Sequence, residues 1–190
     1  EASWFQKFDP TGVKKTTNTG GAYTTYTTDV TVNSATGNGN PLALGSLDTI
    51  ANGDWLIVGY SSEFDAIEFQ LSAANSAAAT MSVDYWNGAW TAVPNAQDLT
   101  VASALVSPSV RGTQTFSRSG IVNITGLTSI SDWVISTIDS VNAFWIRIGV
   151  SAALSATVNV TEVRVIKDNG TQSERTGWLY RGRAAEPRDP

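Results

Sequence analysis

Apolar and polar residues alternate with a period of two over long parts of this chain, the spacing of strands that keep one face in a core and the other in water. In residues 64–71, Ile67, Phe69 and Leu71 share one side while Glu68 and Gln70 take the other. In 81–86 the apolar positions are Met81, Val83 and Tyr85, and Asn87-Gly88 follows. That pair suits a two-residue hairpin, because both central positions of a type I′ turn need positive φ, and the chain is predicted to reverse there into 89–93. Residues 144–150 alternate again, with Phe144, Ile146, Ile148 and Val150 on one side and Trp145 and Arg147 on the other. In 158–165 the apolar parity switches from Val158 and Val160 to Val163 and Val165, which predicts a bulge at Thr161 or Glu162. Further strands are predicted at 24–32, 54–60, 112–118 and 121–124. One stretch breaks the pattern: Ile130, Trp133, Val134 and Ile138 have the spacing of a short helix starting near Ser131 or Asp132, placed to plug one end of the fold.

These elements predict an all-β fold, an antiparallel β-sandwich of jelly-roll-like type over residues 23–166. Residues 1–22 and 167–190 lack a sustained period and carry Pro and Gly, which predicts extended N- and C-terminal arms. They are nonetheless too apolar for purely solvated linkers. Trp4, Phe5 and Phe8 in the first arm, and Trp178, Leu179 and Tyr180 beside Arg181 and Arg183 in the second, are the candidate partner-binding residues.

Composition narrows the chemistry. With 190 residues and 42% hydrophobic content the chain suits one domain with a sizeable core. The absence of His and Cys excludes Ser-His-Asp and Cys-His catalysis, thiol redox chemistry and the usual zinc sites, and no cofactor is expected. No apolar run reaches the roughly 18–20 residues that span a bilayer, and the first residues lack a basic-then-apolar leader, so a chain outside the membrane is predicted. Between Thr16 and Val163 three arginines face eleven acids, a net of −8, while both ends are slightly basic. An acidic body argues against nucleic acid as a partner, since phosphate contacts need clustered Lys and Arg.

Among the acids, Asp65, Glu68, Asp84 and Asp98 are the best residual candidates for general acid and base work in a shared groove. The alternation places Glu68 and Asp84 on solvent faces, so solvated surface is the favoured reading and no catalytic residue is assigned. The Asn/Asp-rich stretches 33–40 and 95–98 could offer oxygen ligands to calcium, but they lack the spacing of a calcium loop and read as turns, so no metal site is assigned. Asn123, Asn159 and Asn169 match the glycosylation triplet, two of them inside predicted strands where a glycan would be awkward. The aromatics carry more information. Trp86 and Trp90 bracket the Asn-Gly turn, and two readings stand for them: a sugar-stacking platform, or packing that fills the sandwich and joins subunits. Arg147, beside Trp145, is placed to pair with an acid or to stack on an indole.

Several segments together carry a resemblance. They are Tyr85-Trp86-Asn87-Gly88-Ala89-Trp90-Thr91-Ala92-Val93, Asp98-Leu99-Thr100, Thr115-Phe116-Ser117-Arg118-Ser119-Gly120-Ile121-Val122, Ser131-Asp132-Trp133, and Phe144-Trp145-Ile146-Arg147-Ile148-Gly149-Val150-Ser151-Ala152-Ala153-Leu154. Over roughly residues 54–166 this set resembles a β-sandwich module of structural proteins in tailed bacteriophages and prophages. The chain departs from that pattern at Asn123-Ile124-Thr125, where such modules usually place a Trp-containing segment. The resemblance implies a virion component and brings no catalytic residues. Joined to the arms, it leads to the expectation of a capsid decoration or cement protein on the outer surface of the virion, binding the major capsid protein and other copies of itself as a homo-oligomer. The alternatives are a tail or baseplate component, or a carbohydrate-binding module for host adsorption that uses Trp86 and Trp90 on a surface glycan.

Overall fold

The computed structural model describes residues 5–16, 22–31, 41–48, 53–101, 114–127 and 130–168. These form thirteen strands and no helix: β1 Phe5–Phe8, β2 Gly12–Thr16, β3 Thr24–Thr25, β4 Leu42–Ala43, β5 Trp55–Tyr60, β6 Ala66–Ala73, β7 Met81–Trp86, β8 Trp90–Ala92, β9 Gln97–Asp98, β10 Gly120–Asn123, β11 Ile135–Ile138, β12 Val141–Val150 and β13 Asn159–Asp168. One sheet runs β1-β13-β6-β10-β9 with β4 also on β13, and the other runs β3-β2-β5-β12-β7-β8 with β11 on β12. The strand pairs are antiparallel throughout, and the two sheets pack face to face as the expected sandwich.

The core between the sheets follows the alternation. Ile67 and Phe69 of β6, Val163 and Val165 of β13, Leu56 and Val58 of β5, and Ile146 and Ile148 of β12 are all buried in a single cluster. Each such side chain contributes about 1.5–3 kcal/mol when fully buried, which is why the longest alternating runs become the central strands. The parity switch in β13 is a bulge at Thr161: Val160 pairs with Leu71 and Glu162 with Gln70, leaving Thr161 extra. A second irregularity lies opposite, where Ser72 is skipped between Leu71 and Ala73.

Four expectations are corrected. Residues 5–16 are not an arm, because β1 pairs with β13 in one sheet and β2 with β5 in the other. Phe8, expected to anchor a partner, instead stacks on Tyr60 with ring centroids 5.5 Å apart. Only Thr24–Thr25 of the 24–32 stretch is strand, since Tyr26 O then accepts from Asp29 N and Val30 N to form a turn. Within 112–118 the described residues make an isolated bridge at Gln114 and then turn, with Phe116 in the left-handed region at φ 55.

The predicted helix over 130–138 is absent as well. Ser131 and Asp132 form a turn, Trp133 enters the core between Phe64 and Phe144 at centroid distances of 5.0 and 5.4 Å, and the chain continues as β11. Helical spacing arose there by accident, from a core aromatic followed by a short strand. Residues 169–190, including most of the expected C-terminal arm, lie outside the described residues, as do Trp4 and the Asn-rich stretch 33–40.

Candidate functional site

Aromatic and charged side chains gather on the outer face of the second sheet. Register explains why. Arg147 of β12 stands opposite Ile57 of β5 on one side and Asp84 of β7 on the other, Trp145 stands opposite Gly59, and Trp86 of β7 faces Trp90 of β8. All of these point away from the core, because Ile146, Ile148, Val83 and Tyr85 between them point into it.

The Arg147 guanidinium carbon lies 3.7 Å from the centroid of the Trp55 ring and 4.9 Å from that of Trp90. Its Nε and Nη2 both donate to Asp84 Oδ2, at 2.8 and 2.7 Å. Arg147 therefore does both things for which its position suited it. The planar cation is held by charge in one direction and by ring faces in another. Trp86 and Trp90 meet edge to face, 5.2 Å between centroids at 75°, and both stay partly exposed.

The Asn-Gly turn between them differs from the expected two-residue form. Trp86 pairs with Trp90, so the loop has three residues, and only Gly88 takes positive φ. Asn87 Oδ1 accepts from Ala89 N and Thr91 Oγ1, while its Nδ2 donates to Asp132 Oδ2 at 3.0 Å. Asp132 also accepts from the Tyr85 hydroxyl at 3.0 Å. Burial, and then the neighbouring Asp132 carboxylate, push the Tyr85 phenol above its ordinary value. The indole pair is thus set on a turn tied to the 131–134 segment, where Val134 N donates to Trp86 O.

Beside this cluster lies Trp145, fully buried although its parity points outward. Its ring lies over strand backbone: a Cβ built on Gly59 would come within 2.4 Å of it, and one on Gly12 within 2.6 Å. The β11–β12 hairpin folds back to cover it, bringing Ile138, Ala143 and Val141 onto Trp145 and Ile57. The two-residue type I′ geometry expected at Asn87-Gly88 occurs at the tip of this hairpin instead, where Asp139 and Ser140 have φ of 46 and 65. Lys14 Nζ, almost fully buried, reaches Asp139 Oδ2 at 2.7 Å and pins the tip. The Lys14 hydrogen bond and charge hold the Asp139 carboxyl below its ordinary value. Trp145 Nε1 donates to Ser136 O at 2.8 Å, which closes the strap.

The four acids weighed as candidates for a shared groove lie apart. Glu68 lies on the outer face of the other sheet and accepts from Lys7 at 2.9 Å. Asp84 holds Arg147, and Asp98 accepts from Thr100 N and Oγ1 at 2.9 and 2.6 Å. Asp65 is buried at the start of β6. Among the described residues no group of three or more acidic side chains is arranged to hold a metal ion, and no helix is long and apolar enough to cross a membrane. Asn123 and Asn159 sit within β10 and β13. Of the expected partner-binding residues, Phe5 pairs through its backbone with Asp168, and Trp4, Trp178, Leu179, Tyr180, Arg181 and Arg183 lie outside the described residues. The Trp55–Arg147–Asp84 stack, by contrast, could be glimpsed only at Arg147.

No protein-family model, no curated protein and no solved structure matches this chain.

Proposed function

We propose that this chain is a non-enzymatic structural protein of a virion, a decoration or cement protein whose sandwich stands on a capsid and whose C-terminal segment binds the major capsid protein or neighbouring copies. What supports this reading is where the polar groups are spent. Glu68, Asp98 and Asp139 are committed to ion pairs and turns that hold the chain together, the pattern of a building block. The anchoring role falls to residues 169–190, where Trp178, Leu179 and Tyr180 stand in sequence among Arg175, Arg181, Arg183 and Arg188, in a chain whose body carries a net −8. Since residues 5–16 are built into both sheets, the N-terminal segment is left with little of that role.

Charge alone cannot hold such an anchor, because exposed ion pairs are worth about 0–1 kcal/mol each and are screened within roughly 8 Å at physiological salt. Burying the aromatic residues supplies the larger part. The experiment is particle binding by the full chain, with copy number and position read from intact particles. Attachment is expected to survive about 0.5 M salt and to fail in the Trp178→Ala/Tyr180→Ala double variant, or when the chain is truncated at Thr171. Release by moderate salt with the double variant still bound, or a few copies confined to the tail, would overturn the reading. A ring of copies at the tail would favour the baseplate alternative.

A further inference from the structure

The indoles of this protein are unevenly distributed. Among the described residues Trp133 alone joins the main core, while Trp55, Trp86, Trp90 and Trp145 gather on one outer face. Trp145 is buried beneath the β11–β12 strap, but Trp55, Trp86 and Trp90 remain partly exposed. Exposed aromatic surface of this kind costs solvation free energy that an ordinary polar face would not, and soluble proteins keep contiguous patches of it mainly where something binds. The opposite sheet instead carries the Lys7–Glu68 and Arg164–Asp9 pairs on its outer face.

The polar groups inside the patch narrow the ligand. Both Arg147 hydrogen bonds go to one oxygen of Asp84. Asp84 Oδ1 and Arg147 Nη1 take no part in that pair, which leaves one acceptor oxygen and further N–H donors for another partner. Side-chain exposures of 15% and 21% leave both groups within reach of solvent. The pair is neutral overall, and the body around it is acidic, which opposes an anionic ligand. A ligand with an apolar C–H face and adjacent hydroxyls, one to donate and one to accept, fits these demands. From β8 across β7 and β12 to β5 the patch covers three strand spacings, about 14 Å, room for a short chain of sugar rings.

We infer that the outer face of the second sheet, built from Trp55, Trp86, Trp90, Asp84 and Arg147, is a binding site for a neutral pyranose oligosaccharide. The indole faces that Arg147 does not cover take the C–H faces of the sugar, and the Asp84–Arg147 pair takes a vicinal diol. The inference does not rest on the capsid reading, whose anchor is residues 169–190, so either can fail alone.

The test is calorimetric titration of the full chain with maltotriose, cellotriose, mannotriose and lactose, and with sialyllactose as the anionic counterpart of lactose, up to about 10 mM. At least one neutral sugar is expected to bind with quenching or a shift of tryptophan emission. Trp90→Ala is expected to weaken it about 3- to 10-fold and Asp84→Asn about 10- to 100-fold. Trp90→Phe, which keeps a ring face and the fold, should retain an intermediate affinity, and Glu68→Gln on the other sheet should change nothing. The inference is overturned if no neutral sugar in the set binds, if binding is indifferent to Trp90→Ala and Asp84→Asn in folded protein, or if sialyllactose binds more tightly than lactose.

Discussion

On the outer face of the first sheet, Lys7 reaches Glu68 and Arg164 joins Asp9 and Glu162, with no indole among them. On the outer face of the second, the Arg147–Asp84 pair lies among four tryptophans, and a hairpin pinned by the Lys14–Asp139 pair folds over part of the sheet. Both faces belong to strands of similar alternation, so the difference lies in what each outward residue meets. Outward charges on the first sheet meet one another, and Lys7 and Asp9 leave their pairs open to water, an arrangement worth little to stability. Outward residues on the second meet rings, glycine backbone and the strap, and form a small second core outside the sandwich. Strand parity therefore tells which side a residue leaves from, and neighbours on the adjoining strands decide whether it ends in water.

The sharpest way to break this comparison is to remove the centre of the outer core. Trp145→Ala deletes a fully buried indole and its bond to Ser136 O, and should destabilise the protein by about 3–5 kcal/mol. Urea unfolding with an unchanged slope is the measurement. A loss below about 1 kcal/mol, the level of an exposed ion pair, would mean that the second face is as ornamental as the first.

Next in size is Gly59→Ala. The new methyl would sit 2.4 Å from the Trp145 ring, a fully buried side chain held by its bond to Ser136 O, and overpacking of this kind costs about 1–3 kcal/mol. The glycine matters only because of the indole above it. In the Trp145→Ala background the same substitution should become nearly neutral, and a double-mutant cycle reads that coupling directly. Additive losses would place the cost of Gly59→Ala elsewhere in the strand.

Ion pairs of the same type on the two faces should then separate. Arg147→Met loses a shielded charged pair and a ring stack, with side chains only 21% and 15% exposed, and should cost about 1.5–3 kcal/mol. Lys7→Met loses a pair whose lysine is 54% exposed and should cost at most about 1 kcal/mol. Melting curves for the two variants, run side by side, check this order. Equal losses would show that the indoles do not shelter Arg147.

Much of this was legible in the chain itself, for a physical reason. Period-two alternation located β6, β7, β12 and β13, because burial of one face imposes the pattern. The switch from Val160 to Val163 located the bulge at Thr161, since one extra residue inverts parity. Pattern failed where geometry is set by distant partners. Residues 1–22 carry no long period, yet β1 and β2 are short strands completed by Asp168 and Gly59, contacts that local sequence does not announce. At Asn87-Gly88 the turn dipeptide favoured two residues, but the match of Trp86 with Trp90 fixed a three-residue loop. The outer core was half legible: Trp86 and Trp145 had outward parity, and Arg147 was marked for an acid or an indole. That Lys14 would pin Asp139 across 125 positions left no trace in either neighbourhood.

The smallest effect concerns that pin, because Asp139 is half-exposed and water screens part of the interaction. The Lys14 ammonium holds the Asp139 carboxyl below its ordinary value of 3.8, and Thr25 adds a weak hydrogen bond. A carboxyl whose folded-state value is depressed binds protons more readily in the unfolded chain, so stability rises with pH through that range. The contribution is complete above about pH 4–5 and is lost as pH falls through the folded-state value. Protonation then leaves the buried Lys14 ammonium facing a neutral group, and the strap over Trp145 loosens. Lys15 cannot imitate this signal, because burial lowers its value from 10.5 and its proton equilibrium belongs to the alkaline side. Asp139→Asn should therefore lower the melting temperature at pH 7, and the gap to the parent protein should narrow as both are brought to about pH 3, below the ordinary carboxyl range. Trp145 emission should shift to the red in the parent over the same interval as its cover opens. A gap that stays constant from pH 7 to pH 3 would show that the left-handed turn at Asp139-Ser140 holds the strap by its backbone alone, and that the charge on Lys14 is a passenger.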